Sequence, residues 1–368
     1  MMAPKAQAAM EFLMTYGWAI LVVLVVIGAL AYFGVLSPTS ILPEKCFFQV
    51  GLECEQYVVG NGQAQFIVRN NLGKKLTINS LKLIDENNNE VCSTLSAVSG
   101  IDNEKSGTIT TFCNINSNPG DKKKFTVEIE YYTGNEISFT HTANGELLSI
   151  IEELDSPNIP SPGEMVLYSS FDNPLDEKTI DMGNGIIGTC TDPKCPIYLD
   201  NQGILGGAYS FEGDDFISIP DEDSLTRQIF SISVWVKPSE LSEYDEIISK
   251  YNEFLIRRNG AYILFYLYEA AKPTAKWEPR VPGITLVDTV NWHHIVVTYD
   301  GRYMSSYVNG ILQGTIDRGI TLTNSPYNLE IGSWGSGANA FHGLIDEVIF
   351  WDKALLPSEV STLYNSYS

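Results

Sequence analysis

Basic residues are scarce in this chain. Only 23 Lys and Arg stand against 45 Asp and Glu, a formal charge of −22 over 368 residues. No basic stripe breaks the acidity, so nothing could neutralise a phosphate backbone, and nucleic acid is excluded as a partner. The same charge favours solubility and attracts divalent cations. Catalytic signatures are missing as well: there is no G-x-S-x-G, no H-E-x-x-H and no phosphate-cradling loop. Histidine is too sparse for a metal cluster, since His141 stands alone and the adjoining His293 and His294 point to opposite faces of a strand. No C-x2-C pair with a nearby His supports zinc. Internal repeats and low-complexity tracts are absent.

Charge disappears altogether from Phe12 to Leu36. As a helix this run covers roughly 37 Å, enough to cross a hydrocarbon core of about 30 Å with some tilt. A cleavable secretory signal has a shorter apolar core and a small-residue cleavage site after it, whereas this run ends Val35-Leu36-Ser37-Pro38. Lys5 and the N-terminal amine are the cations nearest the start of the run, which places them in the cytoplasm and everything from Ser37 onward outside. Glu11 abuts the apolar run, and a carboxylate at that depth needs a cationic partner.

The stretch Lys5-Ala6-Gln7-Ala8-Ala9-Met10-Glu11-Phe12, followed by the long apolar helix, resembles the class III signal peptide of archaeal type IV pilin-like proteins. The resemblance implies that a prepilin peptidase cuts between Ala6 and Gln7. Glu11 then becomes the fifth mature residue, paired with a free amine during assembly with other pilin subunits. Ala9 departs mildly from the family, where Ser or Thr is common. The implied division is a leader over 1–6 and a transmembrane or assembly helix over 7–36.

The rest reads as β structure. A segment over 44–154 alternates in runs such as Ala64-Gln65-Phe66-Ile67-Val68 and Lys124-Phe125-Thr126-Val127-Glu128-Ile129, with Asn/Gly turns between, and fits a small β-sandwich. The stretch 155–163 holds three prolines in six residues and predicts a stiff, extended spacer. From 164 to 368 the strands lengthen and gain aromatic residues, the mark of a large antiparallel sandwich. Six cysteines in an exported chain read as disulfides. The nearest pairs are Cys46 with Cys54, Cys92 with Cys113 and Cys190 with Cys195, although six cysteines allow fifteen connectivities.

The C-terminal region carries Phe211–Pro220 (F-E-G-D-D-F-I-S-I-P), Ile232–Pro238 (I-S-V-W-V-K-P), Trp292–Asp300 (W-H-H-I-V-V-T-Y-D), Tyr307–Gly310 (Y-V-N-G) and Gly343–Leu355 (G-L-I-D-E-V-I-F-W-D-K-A-L). In that order they resemble the laminin-G/concanavalin A-like jelly-roll family. The resemblance implies a structural calcium ion held by Asp172, a carbonyl of Gly213 and Asp346, with hard oxygen donors of the kind calcium takes. Enzymes on this fold place E-x-D-x-x-E along one strand. Here the nearest match is Glu240 to Glu246 (E-L-S-E-Y-D-E), with the wrong spacing and read as a solvated loop after Pro238. Sugar-binding modules use exposed aromatic faces, and Tyr251, Tyr268, Trp277 and Trp334 stand near expected loops or strand ends, although core packing is the commoner fate of any one ring.

The chain is thus expected to be a mainly β, non-enzymatic, pilin-like adhesion protein. Its membrane or pilus helix would carry a head for a glycan or protein ligand outside the cell. The alternatives are a membrane-anchored lectin-like protein that never polymerises and a surface glycoside hydrolase.

Overall fold

The computed structural model describes residues 16–29, 42–49, 51–94, 98–134, 139–154, 157–175, 179–183, 185–241, 243–274, 276–277, 279–281, 283, 287–335 and 337–367. The chain is mainly antiparallel β structure, with two α-helices among these residues. Residues 16–29 form α1, whose apolar side chains face outward: Trp18, Leu24 and Val25 are all more than 60 % exposed. Among the described residues no helix is long and apolar enough to cross a membrane. The remainder of the expected helix over 7–36, with Ala6, Gln7 and Glu11, lies outside the described residues.

Nine strands follow: β1 (Lys45–Phe48), β2 (Leu52–Val59), β3 (Gln63–Asn70), β4 (Leu76–Ile84), β5 (Glu90–Ser93), β6 (Val98–Ile101), β7 (Ser106–Cys113), β8 (Lys122–Thr133) and β9 (His141–Ile150). They make one sheet in the order β1-β9-β8-β4-β5-β7-β3-β2, with β6 paired to β4. Alternation explains its packing: Ala64, Phe66 and Val68 of β3, and Phe125, Val127 and Ile129 of β8, are all buried in one core. The Cys46–Cys54 disulfide joins β1 to β2, the two ends of the strand order, so the sheet is barrel-like. Cys92 and Cys113, directly opposed in the β5–β7 register, form the second bridge. The nearest-neighbour pairing holds for all three disulfides, Cys190–Cys195 included.

The second domain has two sheets. Its strands are β10 (Met165–Ser169), β11 (Thr179–Asp181), β12 (Ile187–Thr189), β13 (Ile197–Leu199), β14 (Ala208–Glu212), β15 (Ile217–Ile219), β16 (Phe230–Pro238), β17 (Asp245–Lys250), β18 (Phe254–Asn259), β19 (Tyr262–Leu267), β20 (His293–Tyr299), β21 (Tyr303–Val308), β22 (Ile311–Asp317), β23 (Leu329–Ile331) and β24 (His342–Trp351). The first sheet runs β13-β14-β24-β16-β20-β21-β22, with β10 on β24; the second runs β11-β12-β15-β23-β17-β18-β19. Their inner faces share a core that includes Phe230, Val234, Phe254, Phe265, Ile295 and Phe350. At roughly 1.5–3 kcal/mol for each buried side chain of this size, that core dominates the stability of the domain.

The two outer faces differ, and this difference positions the site. The outer face of the first sheet is covered by α2 (Pro357–Asn365), whose Val360 and Leu363 pack on Trp235, Val296, Tyr307 and Ile349. Glu359 starts that helix: its Oε2 accepts the Leu356 N–H at 2.7 Å, and its Oε1 accepts Lys353 Nζ at 2.6 Å. The proline-rich segment does not stand free as a spacer. Over 157–163 it lies against the same sheet, with Ile159 buried and the Pro160 carbonyl accepting Trp351 Nε1 at 2.9 Å. The reason is chemical, since a buried indole N–H needs an acceptor. Across the domain boundary, Phe112 of β7 meets Tyr168 of β10 edge-on, with ring centroids 4.5 Å apart. No helix packs on the outer face of the second sheet among the described residues.

Candidate functional site: a ring-lined sheet face

The open face is built by strand alternation. Ile217 and Ile219, Leu329 and Ile331, Phe254 and Ile256, and Phe265 and Leu267 enter the core. Ser218, Glu330, Leu255, Arg257, Leu264 and Tyr266 alternate with the core residues of their strands and are presented on the other side. Strand ends and loops then bring rings over this surface. Tyr327 precedes β23, Tyr251 follows β17 and Tyr268 follows β19, while Trp277 and Trp334 come from loops. They form a row. Centroid distances are 4.8 Å for Tyr327–Tyr251, 5.4 Å for Tyr251–Trp334, 6.3 Å for Trp334–Trp277 and 5.0 Å for Trp277–Tyr268. All four aromatic candidates of the sequence are therefore brought together, and Tyr327 joins them. None is fully buried, and Tyr327 is 47 % exposed.

A cleft of about 500 Å³ opens at the Tyr327 end, lined by Ser218, Ser249, Tyr251, Asn328 and Glu330 among others. Asn328 Nδ2 donates to Ser218 Oγ at 2.8 Å, Ser249 Oγ to the Ser333 carbonyl at 2.7 Å, and Ser333 Oγ to Glu330 Oε2 at 2.5 Å. Among the described residues the indole N–H of Trp334 has no hydrogen-bond partner. Flat apolar faces beside fixed polar groups are what a sugar ring requires, because its C–H faces are apolar and its edge is hydroxyl-rich.

Glu246 departs from the loop expected after Pro238. Ser239 and Glu240 are exposed, but Asp245 and Glu246 belong to β17 and are buried. The cause is arginine pairing across β17–β18: Arg258 binds Asp245, and Arg257 donates from Nε to Glu246 Oε1 at 2.9 Å. Burial outweighs the attraction of Arg257 and pushes the Glu246 carboxyl up to about 7. Arg257 also stacks on Tyr244, Tyr266 and Trp334, with distances of 5.2, 5.7 and 5.9 Å to the ring centroids.

A second cluster lies where the domains meet. Strand β24 pairs with β14 up to Ile345 and with β10 from Val348 onward. At this change of partner an extra residue bulges, and Glu347 takes a positive φ of 52°. Asp346 and Glu347 are both buried there. Asp346 accepts backbone N–H groups from Ile204 and Glu347, each at 2.8 Å, and Asp172 Oδ1 accepts Gly207 N–H at 2.9 Å. Burial and the Glu347 charge push Asp346 up to about 9, while Glu347 is raised to about 8 by burial and accepts hydrogen bonds from Tyr367 and Tyr168. The loop is crowded with oxygen. A Cβ placed on Gly203 would lie 2.0 Å from the Gly207 carbonyl and 2.5 Å from both Asp346 Oδ2 and the Leu205 carbonyl, and one on Gly206 would lie 2.0 Å from Asp172 Oδ1.

Asp172 and Asp346 therefore face one loop, but Gly213 does not join them. It follows β14 at the far end of the β14–β24 ladder, beyond the Glu212–His342 pair. The glycines beside the two carboxylates are Gly203, Gly206 and Gly207. This oxygen set suits a hard cation. Among the described residues, however, no group of three or more His, Cys, Asp or Glu side chains is arranged to hold a metal, so carbonyls of the 203–207 loop would have to complete any shell.

The paired histidines are structural. His294 stacks on Trp235 at 4.9 Å and shares a 2.7 Å hydrogen bond with Ser233, and burial lowers it to about 3. His293 Nε2 accepts the Asp288 N–H at 3.0 Å.

The second domain is thus a two-sheet antiparallel sandwich with one covered face and one open, ring-lined face. Comparison agrees for the C-terminal region: residues 211–361 match the family model described as the concanavalin A-like lectin/glucanases superfamily. Solved structures similar to this chain include domain 4 of AbnA, a GH43 extracellular arabinanase from Geobacillus stearothermophilus, in complex with arabinotriose. It is 24 % identical with a TM-score of 0.44, over 55 % of this chain and 98 % of that one. The binding domain of Paraclostridial Mosquitocidal Protein 1 is 14 % identical with a TM-score of 0.46, over 56 % of this chain and 52 % of that one. The binding domain of botulinum neurotoxin serotype G is 16 % identical with a TM-score of 0.39, over 54 % and 50 %. The chain thus spans about half the length of these toxin binding domains. No curated protein matches it.

Proposed function

We propose that this is a pilin-like cell-surface adhesion protein whose jelly-roll head binds glycan on the ring-lined face. The observation that carries the binding role is the row of five rings beside the cleft that contains Glu330. The head acts by recognition and not by hydrolysis: Arg257 engages Glu246, and Glu330 accepts the Ser333 hydroxyl, so these two carboxylates serve the frame of the site. A glycan array probed with the full-length chain tests the role. Binding that is lost in Trp334→Ala supports it, and an array with no bound glycan refutes it.

The anchoring role draws support from α1, whose apolar surface is exposed around its circumference and requires lipid or neighbouring helices as surroundings. In this reading a prepilin peptidase releases Gln7 as the mature terminus, and Glu11 pairs with the amine of a neighbouring pilin subunit in the filament. Mass spectrometry of the native protein, from sheared surface filaments and from membranes separately, tests it. A terminus at Gln7 enriched in filaments is the expected result. A retained Met1 found only in membranes would instead indicate a non-polymerising anchored lectin-like protein.

A structural calcium ion belongs to the same proposal. Asp172 and Asp346 would hold it with carbonyls of the 203–207 loop, and it would supply positive charge to a junction whose carboxylates have no basic partner among the described ion pairs.

A further inference from the structure

Among the described residues, Arg257 is the only cation in contact with more than one ring. Its guanidinium lies 5.2 Å from the Tyr244 centroid, 5.7 Å from that of Tyr266 and 5.9 Å from that of Trp334. The side chain is only 14 % exposed, whereas Tyr244 is 49 % exposed and Trp334 half-buried. Tyr244 also has a φ of 66°, a left-handed conformation that a bulky residue adopts only under constraint. The backbone is strained where it brings this ring to Arg257. Two rings that face solvent are thus set by one mostly buried group.

Glu246, fully buried on β17, fixes that group. Arg257 donates from both Nε and Nη2 to Glu246 Oε1, the first at 2.9 Å, and Asn339 Nδ2 reaches the same oxygen at 3.3 Å. Glu246 Oε2 has no hydrogen-bond partner among the described residues. The arrangement is one-sided. A proton on Oε2 leaves each of these bonds in place but removes the charge that strengthens them. The other charged groups nearby stand on the neighbouring strands and loops. Asp245 pairs with Arg258 across β17–β18, Glu240 lies beside His342, Glu330 belongs to β23, and Arg280 lies over Tyr266.

We infer that Arg257 is the positioning residue of the ring-lined face: held by Glu246, it sets Tyr244 and Trp334 at the angles a sugar ring meets. This rests on the glycan-binding reading above. It adds a residue that acts through the rings, and it brings Tyr244 into the binding surface. Binding strength then follows the charge on Glu246. Burial raises that carboxyl to about 7, so the pair is charged above this pH and loses its carboxylate charge as pH falls through it. The charged form is the one that folding favours less and the one that holds Arg257 best. Stability and binding therefore take opposite slopes with pH.

The test uses the full-length chain on an array of neutral linear glycans of glucose, mannose, galactose and arabinose, whose own charge does not change with pH. The parent should bind about fivefold tighter at about pH 8.5 than at about pH 5.5. Glu246→Gln should bind at the parent's low-pH strength throughout, with no step between. Arg257→Lys keeps the charge but loses the planar fork that meets rings and carboxylate together. It should weaken binding about tenfold at the higher pH. Tyr244→Ala should weaken it about fivefold without lowering the melting temperature. If Arg257→Lys fails to fold, the parent's pH profile set against that of Glu246→Gln decides. A parent that binds equally at both pH values, or Arg257→Lys binding as tightly as the parent, overturns the positioning role and leaves the glycan reading standing. Unchanged binding by Tyr244→Ala removes that ring from the surface. No binding at either pH overturns the inference and the glycan reading together.

Discussion

Glu246 was hidden in the sequence by its surroundings. A run reading E-L-S-E-Y-D-E after a proline looks like solvated loop, and nothing local marks the last two acids as strand residues that pair with Arg257 and Arg258. Their burial creates a pH dependence of definite sign. The Glu246 carboxyl is raised from 4.5 to about 7, so between those values the folded chain holds a proton that the unfolded chain has lost. Its contribution is fully present below about pH 4.5 and is lost as pH rises through about 7, by at most on the order of 3 kcal/mol. Glu246→Gln removes this titration. Melting curves at intervals from pH 4.5 to 8 should show the variant gaining on the parent as pH rises; parallel curves would show that Glu246 titrates normally. The junction carboxylates were more legible. Asp346 stands in the closing-strand motif and Asp172 in the opening strand phrase, and it was the family resemblance, not the residues themselves, that implied they line one site. Gly213 was misplaced because choosing among glycines depends on which loop folds over Asp346, and strand register decides that. If calcium binds there, millimolar Ca²⁺ should raise the melting temperature of the parent, by the equivalent of about 2.7 kcal/mol at a hundredfold excess over Kd. Asp346→Asn should lose the rise, and an unresponsive parent would remove calcium from the account.

At the scale of elements, the alternating strands of both domains were legible because period two and turn residues are local signals. The convergence of five rings was not, for it depends on the β23-β17-β18-β19 order bringing distant strand ends side by side. The closure of the first domain was half legible. Cys46 and Cys54 are neighbours in sequence, but only the strand order reveals that their bridge joins the two ends of a nine-stranded sheet. Loop-closure entropy for so short a loop is about 2–3 kcal/mol. Replacing both cysteines with serine should lower the first domain's stability by about that amount while glycan binding by the head persists, a split that calorimetry together with the array can read. The covered sheet face makes the reciprocal case. Leu363 of α2 is fully buried on the side opposite the rings, so Leu363→Ala should destabilise the head by about 2–5 kcal/mol and leave ligand affinity within twofold. A large loss of affinity in the folded variant would mean that the rings are not the site.

For the molecule as a whole, the question is whether the head swings on its stalk or is carried rigidly. Three prolines in six residues suggested distance between the domains, because composition reports the stiffness of a segment and not what it touches. The structure shows contact. Ile159 is buried, Pro160 takes the Trp351 indole, Ser161 accepts Lys353 Nζ at 2.6 Å, and Phe112 reaches across from the first domain to Tyr168. In the proposed adhesive role, a docked second domain would transmit pull from a bound glycan straight into the first domain, whereas a loose one would first extend its linker. The Phe112–Tyr168 pair is the place to separate these cases, because it joins the domains without belonging to either main core. Phe112→Ala removes about 0.5–1.5 kcal/mol of ring–ring interaction besides the buried area. Cleavage by a Glu-specific protease at Glu152, Glu153 and Glu164 follows the population of the open form when opening is fast. The variant should therefore be cut in this segment roughly tenfold faster than the parent, with the melting of the head unaltered. If parent and variant are cut equally fast, the contact contributes nothing to docking, and the linker governs how the head moves.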